Sequence, residues 1–121
     1  MVVYGGTRYK EELKRAQKYH RLFNEFRNAR KIIEIDQTAV DDKEEEIAKR
    51  PQNAGFNDAH IVAILAVSGC RLLCSDDKRA DKYIKNLTFY PKKSKRPKIY
   101  RGLRHECLLC DANIVKLKNA V

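Results

Sequence analysis

The sequence predicts an α/β domain in which a parallel sheet is covered by helices on both faces, a three-layer α/β/α arrangement. Three observations carry that expectation. Strand-like and helix-like runs alternate along the chain, which is the pattern of parallel sheets with crossover helices. The segment "NDAHIVAILAVSG" is apolar nearly all round, so its helix must lie against a sheet rather than on the surface. The opening "MVVYGG" is a short β-branched and aromatic run closed by two glycines, the mark of a buried strand that turns sharply.

The elements follow in order. "VVY" is the first strand. From Thr7, an N-cap candidate with Glu11 and Glu12 in the early turns, apolar positions recur at Tyr9, Leu13, Ala16, His20, Phe23 and Phe26. Steps of three and four predict one long amphipathic helix that ends at "NARK". Lys31 to Asp36, "KIIEID", is the second strand. "VDDKEEEIAKRP" reads as a short acidic surface helix whose basic C-terminal end suits the macrodipole and which Pro51 stops. Asn57 or Asp58 caps the buried helix, and Gly69 ends it. "CRLLCS" is the third strand, "DDKRADKYIKN" a polar helix and "KIYRG" the fourth strand, before a last short element in "LRHECLLCDANIVKLKNAV".

At 121 residues the chain fits one domain, 1–121, with a single core. Its longest apolar stretch, Ile61 to Val67, falls far short of the roughly 20 residues a membrane-spanning helix needs. The first residues lack the features of a secretory signal, so a soluble cytoplasmic protein is expected. Four cysteines, Cys70, Cys74, Cys107 and Cys110, fit buried thiols in a reducing compartment better than a disulfide framework. A net charge of +10 and a pI near 9.6 create a field that attracts polyanions, nucleic acid above all. The basic residues concentrate between Pro91 and Arg104, where seven cationic side chains stand without one acid. Lys92, Lys93, Lys95, Arg96, Arg101 and Arg104 are candidates for a phosphate-tracking rim, with Tyr90 or Tyr100 to stack on a base. The competing role of that segment is a solvated loop.

Against this basic background the acids are informative. In a parallel sheet, residues just after the carboxyl ends of the strands converge on one edge. Asp76 and Asp77 follow the third strand, Asp58 begins the helix leading into it, and Glu11 and Glu12 lie a turn into the helix after the first strand. Carboxylates gathered in a small volume repel one another unless a cation neutralises them, and oxygen donors suit Mg²⁺ or Mn²⁺. The implied chemistry is metal-assisted attack of water on a phosphodiester. Taken singly, Asp58 is an ordinary N-cap and Asp76 and Asp77 an ordinary helix start. Ser75 either supports this cluster or caps the next helix.

"NDAHIVAILAVSGCRLLCSDDK" resembles the C-terminal half of PIN domains, Mg²⁺- or Mn²⁺-dependent ribonucleases that include the toxins of many toxin–antitoxin pairs. In that family an aspartate precedes a buried helix of small and apolar residues, followed by a glycine, a strand, and a hydroxyl residue near another aspartate. Asp58, Gly69, Ser75 and Asp77 match those positions, and Asp76 is an additional acid. "VYGGTRYKEEL" is similar to the family's second strand and following helix, which implies Glu12, or alternatively Glu11, as its helical glutamate. "RPKIYRGLRHECLL" is similar to its last strand. The resemblance implies a Rossmann-like PIN fold, metal held by Asp58, Asp77 and Glu12, single-stranded RNA as substrate, an antitoxin partner and a homodimer.

One departure is clear. The family's first strand, which ends in a metal-binding aspartate and lies centrally in its sheet, has no counterpart here. The chain then begins upstream of Met1, or "VVYGG" and "CRLLCS" pair directly, or another chain fills the gap. A catalytically incomplete RNA-binding or partner-binding protein is the alternative function. A zinc site built from "CRLLC", "CLLC" and His105 is a third reading, and only "CLLC" has the familiar ligand spacing.

Overall fold

The computed structural model of the chain describes residues 2–49, 58–75, 78–86, 89–90, 96–110 and 113. Strand β1, Val2–Tyr4, leads through Gly5 and Gly6 into helix α1, Thr7–Arg15. Both glycines answer to close packing. A Cβ on Gly5 would lie 2.7 Å from Ile35 Cγ1, and one on Gly6 2.6 Å from Val40 Cγ1. Gly6 also has φ +86°, a conformation that L side chains rarely adopt.

The expected single long helix is two. Ala16 leaves the helical region with φ −92° and ψ 65°, a 3₁₀ turn spans Gln17–Tyr19, and helix α2 occupies His20–Asn28. The interruption carries a local contact that apolar spacing does not encode. The His20 imidazole donates from Nε2 to the Leu13 carbonyl at 2.7 Å, an acceptor that the Ala16 N–H also reaches at 3.1 Å. Beyond the turn Phe23 packs edge-on against Tyr4, with ring centroids 5.8 Å apart, and so ties α2 to β1. Helix α2 ends where Arg30 takes φ 57° and the Lys31 N–H returns to the Phe26 carbonyl.

Strand β2, Ile32–Glu34, runs parallel to β1 in the register Val2 to Ile32, Val3 to Ile33 and Tyr4 to Glu34. Asp36 caps helix α3, Gln37–Ala48, by accepting the Ala39 N–H at 3.0 Å. Helix α3 buries Val40 and Ile47 and packs along helix α4, Ala59–Ser68. As the composition predicts, α4 is buried on most of its surface and ends at Gly69 in the left-handed conformation, φ 72°. Strand β3, Leu72–Cys74, pairs in parallel with β4, Lys98–Tyr100. Between them a 3₁₀ turn, Lys78–Ala80, opens into the short helix α5, Asp81–Ile84. A 3₁₀ segment, Leu103–Leu108, follows β4.

The strands carry one correction to the expected architecture. All pairing is parallel, yet among the described residues the four strands make two separate two-stranded sheets, β1 with β2 and β3 with β4. "VVY" and "LLC" do not pair with each other. A single core nevertheless joins both sheets. Ile35, Val40 and Ile47 meet Val62, Ala63, Ile64 and Leu65 of α4 together with Ile84, Phe89, Tyr90 and Ile99, and Val3 and Leu73 pack against this cluster. Each fully buried aliphatic or aromatic side chain contributes roughly 1.5–3 kcal/mol, so α4 is the chief source of cohesion. Among the described residues no helix is long and apolar enough to cross a membrane.

Candidate functional site

A cleft of about 390 Å³ opens where β1 hands over to α1, lined by Thr7, Arg8, Glu11, Glu12, Arg15, Asp41 and Glu44. Its floor is set by tertiary contact. Thr7 does not cap α1; its N–H and hydroxyl both donate to Asp41, from α3, at 2.8 and 2.6 Å. Arg8 faces Glu12 at 3.6 Å and Glu44 at 3.9 Å. Four carboxylates and two guanidinium groups thus share one small volume in a chain of net charge +10.

Glu12 makes the most telling contact. Its Oε2 lies 2.9 Å from Nε2 of His60, in the first turn of α4, although the two residues are 48 apart in sequence. His60 is only 2% exposed, whereas the Glu12 side chain is half-exposed. An ionised carboxylate only accepts, so Nε2 carries the hydrogen, and the buried Nδ1 has no partner among the described residues. The negative charge of Glu12 is felt nearby. Burial first, and Glu12 second, raise the Tyr9 phenol above its ordinary value.

Asp58 occupies the N-cap of α4, but its carboxylate makes no capping hydrogen bond. Its carbonyl accepts from Ile61 and Val62 at 3.0 and 3.3 Å. The bland role open to it, a side-chain cap, is therefore not the one it fills. Glu11 lines the same cleft as Glu12 and is exposed. Glu12 and the first turn of α4, which Asp58 precedes, are brought together through His60. Asp76 and Asp77 lie outside the described residues. Ser75 follows β3 and its N–H donates to the Tyr100 carbonyl at 3.2 Å.

Compared with known proteins, the chain matches no family model, no curated protein and no solved structure.

The donor set suits a hard divalent cation in kind, because Glu12 and Asp58 offer carboxylate oxygens. It is incomplete in number: among the described residues no three His, Cys, Asp or Glu side chains are placed to hold a metal ion. Such a group would need Asp77 or another acid beyond them. The cysteines likewise form neither a cluster of that kind nor a disulfide, and Cys74, Cys107 and Cys110 are exposed rather than buried. Partial burial raises the Cys74 thiol above its ordinary value.

Of the basic rim, Lys92, Lys93 and Lys95 lie outside the described residues, and Arg96 and Arg104 are exposed. Arg101 is largely buried, and its guanidinium pairs with Asp81 at the start of α5. Tyr90 belongs to the core, 6% exposed, with its hydroxyl donated to the Ile84 carbonyl at 2.6 Å; it is not available to stack on a base. Tyr100 is partly exposed and packs against His105. Sequence reasoning missed Asp41, Arg8 and Glu44, which it placed on surface helices. Nor does it indicate the bond between His60 and Glu12. No local pattern announces contacts made across 34 and 48 positions.

Proposed function

We propose that the chain is a PIN-like, Mg²⁺- or Mn²⁺-dependent endoribonuclease that hydrolyses phosphodiester bonds of single-stranded RNA. The observation that supports this reading is the meeting of Glu12 with the first turn of the helix that Asp58 begins, with the Asp58 carboxylate left out of capping. Glu12, Asp58 and Asp77 would hold the metal, with Glu11 as alternate and Asp76 in reserve. The ion supplies activation of a water and neutralisation of charge on the phosphoryl oxygens. The chain's own groups do the rest. His60 orients Glu12, Arg8 brings a cation to the cleft beside it, and the exposed Arg96 and Arg104 follow the RNA backbone.

The two parallel pairs fit this reading as halves of one sheet. Right-handed crossovers, the rule for parallel strands, would set β2 on one side of β1 and β3 on the other. Helix α4 touches β1. The order would then be β2, β1, β3, β4, with one further parallel strand between β1 and β3 completing a three-layer domain. A cytoplasmic protein working as a homodimer, with an antitoxin as its inhibitor, belongs to the same proposal.

Cleavage of a labelled single-stranded RNA in Mn²⁺ tests it, with Asp58→Asn, Asp77→Asn and Glu12→Gln made in parallel. Loss of cutting in all three supports the assignment; cutting that survives in all three refutes it. The separation of the strands into two pairs favours a second reading, a catalytically incomplete RNA-binding or partner-binding protein. RNA binding without cleavage and without metal dependence would establish that one.

A further inference from the structure

We infer that the turn joining α1 to α2 is a docking tip for single-stranded nucleic acid, with Lys14, Arg15, Lys18 and Arg21 on its phosphates and Tyr19 under a base. This requires neither a metal nor cleavage, so it is independent of the hydrolytic reading above. Residues 14–21, "KRAQKYHR", hold the four cations together with His20 and contain no acid. Lys14 and Arg15 end α1, Lys18 lies in the 3₁₀ turn and Arg21 opens α2, and all four are exposed. Eight residues of helix cover only about 12 Å. Neighbouring charges therefore lie near or within the screening length, about 8 Å at physiological salt, and their fields add. The His20 ring, bonded to the Leu13 carbonyl, braces the turn that carries them.

Internal pairing does not use up this charge. Among the described residues Lys14, Arg15 and Lys18 form no ion pair, and Arg21 meets only Glu25, at 3.4 Å, in an exposed pair of the weak kind. Helix stability accounts for part of the pattern, since Lys14 and Arg15 suit the negative end of the α1 dipole. It does not account for Lys18 and Arg21. They stand at the start of α2, the positive end of its dipole, where Tyr19 gives no side-chain cap and the first turn has no acid. An anion from outside turns that unfavourable charge into an attraction.

Tyr19 selects among anions. Its ring is 45% exposed, with Lys18 Nζ 4.9 Å from the centroid. An aromatic ring among cations offers any unpaired base a face to stack on. A duplex keeps its bases stacked and would leave the ring unused. An anionic membrane needs a broad apolar helix face, and α2 has spent its own: Phe23 packs on Tyr4 and Phe26 on Phe23, at centroid distances of 5.8 and 6.5 Å. Only Leu22 is left exposed beside Tyr19.

The test uses the full chain in EDTA and the fluorescence anisotropy of a labelled oligouridylate of about 12 nucleotides across a salt series. Replacing Lys14, Lys18 and Arg21 together by Gln should weaken binding and lower the slope of log affinity against log salt by about 2.1, at roughly 0.7 for each phosphate contact. The same charge removed at the exposed Lys49, Lys82 and Lys85 should change the slope by less than about 0.7. Tyr19→Ala should bind about 5–150-fold more weakly at an unchanged slope, and Tyr19→Phe like the parent. If Tyr19→Ala loses its far-UV circular dichroism, Tyr19→Leu replaces it, keeping apolar bulk without the ring.

An unchanged slope in the first triple variant, or an equal fall in the second, would overturn the tip. Parent-like binding by Tyr19→Ala, or a duplex bound as tightly as the single strand, would overturn the stacking role and with it the choice of ligand. Binding to vesicles of phosphatidylcholine and phosphatidylserine, with none to the oligonucleotide, would make the tip a membrane contact and refute the inference. Cleavage in Mn²⁺ is scored separately. A parent that cuts RNA while the first triple variant binds unchanged refutes the tip alone, and a parent that binds through the tip without cutting refutes the hydrolytic reading alone.

Discussion

The Asp41 carboxylate receives both the N–H and the hydroxyl of Thr7, at 2.8 and 2.6 Å, and so caps α1 from a different helix. Gly6, the residue at the N-cap position, has no side chain to do this. The acceptor also places negative charge at the positive end of the α1 dipole. Asp41→Ala should therefore cost about 1–2 kcal/mol, the range for losing a strong helix cap. Asp41→Asn, which keeps one acceptor oxygen, should recover part of it. Urea denaturation measures both, and an unchanged midpoint in Asp41→Ala would show that the contact contributes nothing net.

Gly6 and Gly69 both have positive φ, but their surroundings differ. A Cβ on Gly6 meets Val40 at 2.6 Å, while one on Gly69 has nothing within 4 Å. Gly6→Ala should combine backbone strain of about 1–3 kcal/mol with overpacking of similar size. Gly69→Ala carries only the left-handed penalty, about 1–2 kcal/mol. Comparing the two variants by thermal unfolding checks the order; equal losses would mean that Val40 moves aside freely.

Tyr90 links stability to alkaline pH. Burial raises its phenol well above its ordinary value, and the hydroxyl donates to the Ile84 carbonyl. A folded-state value above the unfolded one means that the neutral phenol is favoured in the fold. That contribution is complete below about pH 10, the unfolded value, and is lost as pH rises from there toward the folded value. Tyr90→Phe should cost about 0.5–1.5 kcal/mol at neutral pH for the lost hydrogen bond and flatten the decline above pH 10. Stability measured against pH for the two proteins decides, and parallel curves would exclude Tyr90 as the group responsible.

Helix α4 was legible in the sequence because its signals are local. A run apolar on all sides can only be buried, and Gly69 supplies the left-handed end. The break between α1 and α2 was not legible, since Tyr9, Leu13, Ala16, His20, Phe23 and Phe26 keep helical spacing straight through it. The break carries a contact of the His20 ring with the Leu13 carbonyl, which spacing does not record. The two-sheet arrangement was hidden for a related reason: "VVY" and "LLC" announce strands, but three residues do not state how many neighbours a strand has. At the site, strand-edge geometry nominated Glu12 and Asp58, whereas nothing local marks the bond from His60 to Glu12, 48 positions away.

The same limit applies to the basic segment, where arginines alike in sequence differ in what they touch. Arg96 and Arg104 are exposed, while the Arg101 guanidinium pairs with Asp81 and its backbone N–H donates to His105 Nδ1 at 2.9 Å. If this segment tracks RNA, replacing Arg96 and Arg104 together by Gln should weaken binding to a single-stranded oligonucleotide. It should also reduce the slope of log affinity against log salt by about 1.4, at roughly 0.7 for each phosphate contact. The melting temperature should stay within a degree or two, because exposed cations contribute little to the fold. Arg101→Gln should behave in the opposite way. It strips Asp81 of its partner and lowers the melting temperature, with little change in the salt slope. Fluorescence anisotropy across a salt series and thermal unfolding of both variants separate these outcomes. A slope that falls in Arg101→Gln, with the fold unaffected, would move Arg101 from the scaffold to the RNA-binding rim.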